Sequence, residues 1–446
     1  MTSLKSSKHR HLFNDDFIHE PYWWHTYRPA VGELVDIPAR TTVAVVGAGY
    51  AGLSTALELS KQGINCVVLE ANELGYGAST RNAGGVSGGV NIGRRLSGRP
   101  IRYPKGEKEA LLADASRSFF YLKNFIQKHD IQCNWEETGR FVGAWTPAHY
   151  QRQLNQVEYL NEYANSEVRM VSQEEQKSII NTDYYYGGQV IGRSATINPA
   201  LYYKGLLDIC SEQQALTLCS SARVTALKQS DQNWELITNR GTIEAKHVVI
   251  ATNGYTTDVT TKLKKRIIPI ESHSIVTEEL DPESLSNLLP GNMLVNDTLR
   301  IRSYYRLTPD KKRILFGGRG KFGNSDYITN SIVLYDLLTK RLPQLQGTKI
   351  SYAWSGQTGF TFDSTPHIGE QDGLYYILGC NGSGVAMMSF LGRQLALKIA
   401  DSPDFSCSFD RPIPGHALYT GNPWFLTPVG NTFRLLDWID RKKAKP

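Results

Sequence analysis

"TTVAVVGAGYAGLSTALELSKQGINCVVLEA", residues 41–71, decides the fold. Val43–Val46 is a short β-branched run of the kind found in a parallel sheet covered on both faces. Gly47-Ala48-Gly49-Tyr50-Ala51-Gly52 comes next, then Leu53, Ala56, Leu57 and Ser60 at helical spacing, with Gly63 placed as a stop. "NCVVLE", ending at Glu70, supplies a second strand. Strand, glycine turn, helix and strand within about 30 residues is the context that a dinucleotide fingerprint requires. Gly47 is expected to allow the tight turn, Gly49 to let backbone approach a pyrophosphate, and Gly52 to let the helix pack on the strand. The helix N-terminus offers free N–H groups and a positive dipole end to phosphates. Glu70, 18 residues past Gly52, is placed to accept a hydrogen bond from a ribose 2′-OH, and its charge would repel a 2′-phosphate.

A second match, Gly318-Arg319-Gly320-Lys321-Phe322-Gly323, also follows a strand-like run, but neither a small-residue helix nor a second acid-terminated strand comes after it. It reads as a loop, which leaves one dinucleotide site. Downstream of Glu70, "ANELGYGASTRNAGG" (71–85) is a small-residue loop in which Ser79 and Arg81 suit phosphate contacts and 82–85 can run beside a flat ring.

With 446 residues the chain exceeds the size at which a single core stops growing, so two domains are expected. Hydrophobic residues at 41% and charged residues at 21% fit a globular protein. The net charge of +6 sits partly at the two ends, in "KSSKHRH" and "RKKAKP", and points to no nucleic-acid partner. The six cysteines include no CxxC pair, which fits buried thiols in a reducing compartment, excludes a disulfide reductase and leaves no metal site in view. The N-terminus lacks the apolar run of a secretory signal, and the 17 uncharged residues Thr41–Leu57 carry three glycines, too few and too broken to span a membrane. A cytoplasmic location is the expectation.

Gly47, Gly49 and Gly52, Glu70, "GYGASTRNAGG", "YYRLTPDKKRILFGG" (304–318), "WSG" (354–356) and "GCNGSGVAMMSFLGRQLA" (379–396) together resemble the FAD-dependent glycine/D-amino-acid oxidase superfamily, and within it the γ-glutamylputrescine oxidoreductase branch. The resemblance spans roughly residues 40–440. It implies an α/β fold: a discontinuous Rossmann-like FAD-binding domain (38–98, 186–262 and 352–412) and a second, mostly antiparallel β-sheet substrate domain of α+β type (99–185 and 263–351). Residues 1–37, with Tyr22, Trp23, Trp24, His25 and Tyr27, are expected to form an aromatic surface strap, and 413–446 a tail ending in an amphipathic helix.

The cofactor residues that the resemblance implies, beside Gly47, Ala48, Gly49, Tyr50, Ala51 and Gly52, are Glu70 and Ala71 at the adenosine, and Ser79, Arg81, Asn82 and Gly84 along the path to the flavin. Val224 would meet adenine through its backbone, and Asn253 and Gly254 would close a strand end beneath the cofactor. Asn381, Gly382, Ser383, Gly384, Val385 and Ala386 would bring a helix N-terminus to the pyrimidine edge, where reduction places negative charge.

The implied chemistry is oxidation of a C–N bond by hydride transfer to flavin N5, followed by hydrolysis of the imine. Family members that act on amino acids clasp the carboxylate with an arginine just after "WxG", whereas this chain has Gln357 and then Thr358 there, which favours an amine or N-substituted amine over a free α-amino acid. Leu315 stands where sarcosine-oxidase relatives carry an oxygen-activating lysine, so O2 and a quinone or protein acceptor both stay open. "GASTRNAGG" has no histidine, so FAD is expected to be non-covalent. His273, Tyr305, Arg306, Trp354 and Gln357 are the expected pocket residues. An amino-acid oxidase and a non-catalytic flavin-carrying subunit are the alternatives.

Overall fold

The computed structural model describes residues 9–30, 32, 34–88, 101–230, 232–320 and 326–444. Residues 89–100, at the junction of the first two expected segments, and 321–325, the second half of the later glycine pattern, lie outside them.

Strand Arg40–Val46 pairs in parallel with Cys66–Leu69 on one side and with Gly241–Ile250 on the other, and helix Tyr50–Lys61 crosses over between the first two. Val43, Ala44 and Val45 are fully buried, as a β-branched run covered on both faces should be. This sheet continues through Leu216–Cys219 at one edge and the antiparallel pair Val224–Gln229 and Trp234–Thr238 at the other; Leu374–Leu378 joins Gly241–Ile250 in parallel, with His367–Gln371 beside it.

Helix Gly384–Ile399 packs directly on Tyr50–Lys61. Gly392 makes the close crossing feasible: a Cβ there would lie 2.5 Å from the Ala51 carbonyl oxygen, and Thr55 Oγ1 donates to the Gly392 carbonyl at 3.1 Å.

The second sheet, nine strands among the described residues, runs in the order Phe13–Ile18, Ile350–Phe360, Ile268–Thr277, Ile314–Gly318, Tyr304–Leu307, Leu294–Asp297, Arg140–Gly143, Gly188–Ile191 and Val168–Val171. Its pairs are antiparallel except where Phe13–Ile18 meets Ile350–Phe360 and Leu294–Asp297 meets Arg140–Gly143. One face carries a core of Phe141, Tyr185, Ile275, Tyr305 and Phe316, closed by helix Tyr327–Arg341. The other face roofs the first sheet's loops.

The leading segment is more than a surface strap. It supplies an edge strand, and Trp23 is fully buried with Leu315, Val276 and Trp354. The chain ends in helix Leu426–Lys443, which buries Phe433 and Asp437 and exposes Leu435, Leu436 and Trp438. No helix among the described residues is long and apolar enough to cross a membrane.

Candidate functional site

A cavity of about 1160 Å³ runs between the two sheets, larger than the ~300–1,000 Å³ of ordinary small-molecule pockets. Its first stretch is the glycine turn. Gly47 adopts φ +103° and donates its N–H to the Leu69 carbonyl at 2.9 Å; a Cβ on Gly52 would fall 1.9 Å from the Gly47 carbonyl oxygen, and one on Gly49 would lie 3.2 Å from Ser79 Oγ. Glu70 accepts from the N–H groups of Ala48 (2.9 Å) and Asn72 (3.1 Å). Burial raises its pKa above the ordinary carboxylate value, while those two amides pull in the other direction.

The loop beyond Glu70 folds back onto the helix N-terminus. Ser79 Oγ accepts from the Tyr50 N–H at 3.1 Å, and the Tyr50 hydroxyl donates to the Ser79 carbonyl at 2.5 Å. Asn82 spans the turn, donating to the Ala78 and Ser79 carbonyls and accepting from the Gly84 N–H. Three indoles hold the loop from outside: Trp23 donates to the Asn82 carbonyl (2.8 Å), Trp24 to Thr80 Oγ1 (3.0 Å) and Trp354 to the Arg81 carbonyl (2.8 Å). The Arg81 guanidinium lies over the rings of both Trp24 (4.6 Å) and Tyr76 (4.5 Å) and donates to the Tyr76 and Ser355 carbonyls. Expected at a phosphate, Arg81 lines the cavity while bracing the loop against the roof.

At the far end, Asn253 (φ 44°) accepts from the Gly379 and Cys380 amides, tying its strand end to the turn 379–383. Asn381 (φ 49°) donates its N–H to the Gly359 carbonyl and accepts from the Thr361 N–H, which aims the start of helix Gly384–Ile399 into the cavity. Of the expected cofactor residues, all but Gly52, Gly84 and Ala386 line this cavity. Those three act behind it: Gly52 against Gly47, Gly84 (φ +71°) where a Cβ would lie 2.1 Å from the Ile197 carbonyl oxygen, and Ala386 buried in its helix. Asn72, Tyr76, Thr252 and Tyr255 also line it and were not among the expected residues; Asn72 and Tyr76 lie inside the quoted loop 71–85, and Thr252 and Tyr255 flank Asn253 and Gly254. Tyr255 accepts the Gln357 N–H at 3.3 Å.

Of the expected pocket residues only Gln357 is among those lining the cavity; its register partner is Glu271, so it shares a strand face with His273 and is exposed. His273 and Tyr305 face away: His273 shares its side of the strand with Ile275 and lies 3.7 Å from Glu271, and Tyr305 bonds the Tyr185 hydroxyl in the opposite core. Their neighbours take the cavity face instead, with the Tyr304 hydroxyl within 3.1 Å of Ser272 Oγ and 3.3 Å of Ser274 Oγ. Tyr304 lies across Gly317, where a Cβ would fall 2.1 Å from its ring. Arg306 is buried and donates to the Ile197 and Leu307 carbonyls, and Trp354 belongs to the buried cluster under the roof, so neither reaches the cavity.

A dinucleotide cradle, a loop leading from it and a helix N-terminus at the far end fit FAD. Comparison with known proteins agrees: residues 42–397 match the family model for FAD dependent oxidoreductases (DAO), and the chain belongs to that family and is an FAD-dependent oxidoreductase. It is similar to the gamma-glutamylputrescine oxidoreductase of Escherichia coli (31% identical over 361 residues, 79% of this chain and 82% of that one). It is also similar to a probable oxidoreductase OrdL of Haemophilus influenzae (29% over 365 residues, 79% and 81%). Among solved structures, glycine oxidase from Geobacillus kaustophilus superposes with a TM-score of 0.70 at 18% identity, covering 85% of this chain and all 100% of that one. L-proline dehydrogenase from P. horikoshii gives 0.69 at 20%, covering 84% and 97%. At such identities these structures speak for the fold, a Rossmann-like FAD half beneath an antiparallel roof.

Proposed function

We propose that this chain oxidises a C–N bond of an amine or N-substituted amine, using FAD held without a covalent bond. The bound cofactor supplies the two-electron acceptor at flavin N5, and the imine that leaves is hydrolysed by water. The observation that carries the reading is Gln357: it lines the cavity just after Trp354-Ser355-Gly356, where a clasp for an α-amino acid would need a guanidinium. The name of the E. coli relative supports an amine substrate of the γ-glutamylputrescine type.

The roof orients and encloses. Burial raises the Tyr304 hydroxyl above its ordinary pKa, against the pull of the two serine hydroxyls, so it stays protonated and serves as a hydrogen-bond donor rather than a base. An amine nitrogen reaching the Tyr304–Ser272–Ser274 cluster meets hydroxyls that accept its N–H bonds and hold its C–H toward the cofactor side. Leu315, buried against Trp23 and Trp354, places no cation at this wall, and electrons leave either to oxygen or to a quinone or protein acceptor.

Anaerobic mixing of the holoenzyme with a panel of amines tests the reading. Loss of the yellow flavin band supports it, and admitting air while measuring peroxide then assigns the acceptor. A protein that stays yellow with every amine and amino acid is a flavin-carrying subunit instead.

A further inference from the structure

The outer face of helix Leu426–Lys443 is apolar and basic, and the helix lies beyond the stretch 42–397 that matches the family. Leu418, Trp424, Leu435, Leu436 and Trp438 are five of the eleven large hydrophobic side chains exposed among the described residues. Scattered singly, such side chains need no explanation; gathered in one short stretch of chain, they mark a contact surface.

The helical period aligns them. Phe425 at the N-cap already has αR backbone, so the row starts at Trp424 in the turn that leads into the helix. At about 3.6 residues per turn, Leu435 stands three turns further on, and Trp438 and Lys442 follow at one-turn intervals. Trp424 is 66% exposed, Leu435 55% and Trp438 53%. Lys442 lies over the Trp438 ring, 4.1 Å from its centre, and Lys443, next in sequence, is exposed.

The opposite side of the helix is engaged by the protein. Phe433 is buried and lines the cavity, and the helix's two acids, Asp437 and Asp440, both accept from Arg300 Nη1, at 2.6 and 2.8 Å. Trp145 donates to the Asp437 carbonyl at 3.0 Å, and Arg441 donates to the Trp145 carbonyl at 2.7 Å. These bonds fix the outward direction of the row. Because they also take both acids inward, the outer face keeps lysines and no carboxylate of the helix's own.

That charge balance selects the partner. A second copy packed on this row about a two-fold axis would meet Lys442 and Lys443 with more leucine, tryptophan and lysine. A bilayer with anionic headgroups supplies both complements, an apolar layer for Leu435 and the indoles and negative charge for the lysines. With one side polar and paired, the helix suits the plane of the interface and does not cross it.

We propose that this face docks the protein on an anionic lipid surface, with Trp424, Leu435 and Trp438 among the headgroups and Lys442 and Lys443 at their phosphates. Phe433, on the inner side of the same helix, then holds the cavity roughly 10 Å, one helix diameter, from the lipid. Docking is independent of which substrate the flavin oxidises and is read without turnover.

FAD-loaded protein is mixed with vesicles of phosphatidylcholine alone, or of phosphatidylcholine and phosphatidylglycerol in equal parts, and separated by flotation. Binding is expected on the mixed vesicles, falling as salt is raised, and little on phosphatidylcholine alone. Lys442→Ser with Lys443→Ser is expected to weaken it roughly 30-fold, at about fivefold per lysine. Leu435→Ser with Trp438→Ser is expected to weaken it at least about tenfold. All four side chains are exposed, and unchanged flavin content and Tm verify the fold; should the apolar pair fail to fold, the lysine pair carries the measurement. The proposal is overturned by absence of binding to the mixed vesicles at low salt. Binding that a folded Leu435→Ser, Trp438→Ser variant retains in full also overturns it, by assigning the attraction to the net charge of +6 alone. So does a dimer in sedimentation that this variant dissociates, which gives the face to a second copy.

Discussion

Replacing Gly52 with alanine should separate the cofactor from an otherwise intact fold. The new Cβ would stand 1.9 Å from the Gly47 carbonyl oxygen, 3.1 Å from its carbon and 3.2 Å from a Val45 methyl. Ordinary contact begins near 3.4 Å, so helix and turn must part by about 1.5 Å. No flexible side chain can yield, because the obstacle is backbone. Gly47 is pinned by its hydrogen bond to Leu69 and by Ala251 on its other side, while the helix is pinned by its crossing with Gly392. Overpacking of this kind costs about 1–3 kcal/mol. The displacement falls on the turn 47–50, where the pyrophosphate is expected, so the same energy should appear in binding, as roughly a 5- to 150-fold weaker Kd for FAD. Fluorescence titration of apoprotein with FAD gives the Kd directly, and thermal melts with and without FAD show where the loss lies. The expected result is a small drop in apoprotein Tm and a marked loss of FAD-induced stabilisation. A variant whose Kd for FAD stays within twofold of the parent would refute the claim that the turn's fit to this helix sets cofactor affinity.

Arg341→Ala leaves Asp297 buried without its partner in a pair whose side chains are both fully enclosed, and should lower stability by about 3–5 kcal/mol, seen as a reduced urea midpoint. Trp24→Ala removes one of the rings beneath Arg81 and the bond to Thr80; FAD release to an apoprotein trap should accelerate several-fold, from about 1–2 kcal/mol of lost loop anchoring. Asp363 is partly buried, which alone would raise its pKa, but the bond and charge of His367 and the Thr365 hydroxyl hold it at about 2. Its folded-state pKa is thus depressed, so the stability it contributes is present above the ordinary aspartate value and disappears as pH falls toward about 2. Urea unfolding at successive pH values should show a shallower loss of stability below about pH 4 in His367→Gln, where the Asp363 carboxylate no longer gains from that partner.

The cofactor cradle was readable because each of its requirements is local. A φ of +103° at Gly47 and a 1.9 Å clash at Gly52 exclude side chains whatever the rest of the chain does, so the residue types announce the geometry. The pocket was less readable for an equally physical reason. Motif spacing located the right strands, but in a strand a one-residue error moves a side chain to the opposite face. Hence His273 and Tyr305 were expected where Ser272, Ser274 and Tyr304 stand. A usable signal was present: Gly317 pairs with Tyr304, and only a glycine there leaves room for the tyrosine ring to lie across the strand.

The N-terminal segment shows how the two halves are held in register. Phe13–Ile18 extends the roof beside Ile350–Phe360, the strand that bears Trp354, and a few residues later Trp23 and Trp24 reach the cofactor loop. Trp23 and Trp354 pack in one buried cluster with Leu315 and Val276, and both donate to carbonyls of adjacent loop residues, Asn82 and Arg81. The loop beyond Glu70 therefore takes its position from the roof as well as from its own Ser79 and Asn82 bonds, since its small residues would otherwise leave it loose. Gly356 continues the same link, since a Cβ there would touch the Arg81 side chain at 3.4 Å. A change in the roof strand is thus felt at loop residues Arg81 and Asn82 through indole hydrogen bonds made by tryptophans that lie outside the cavity.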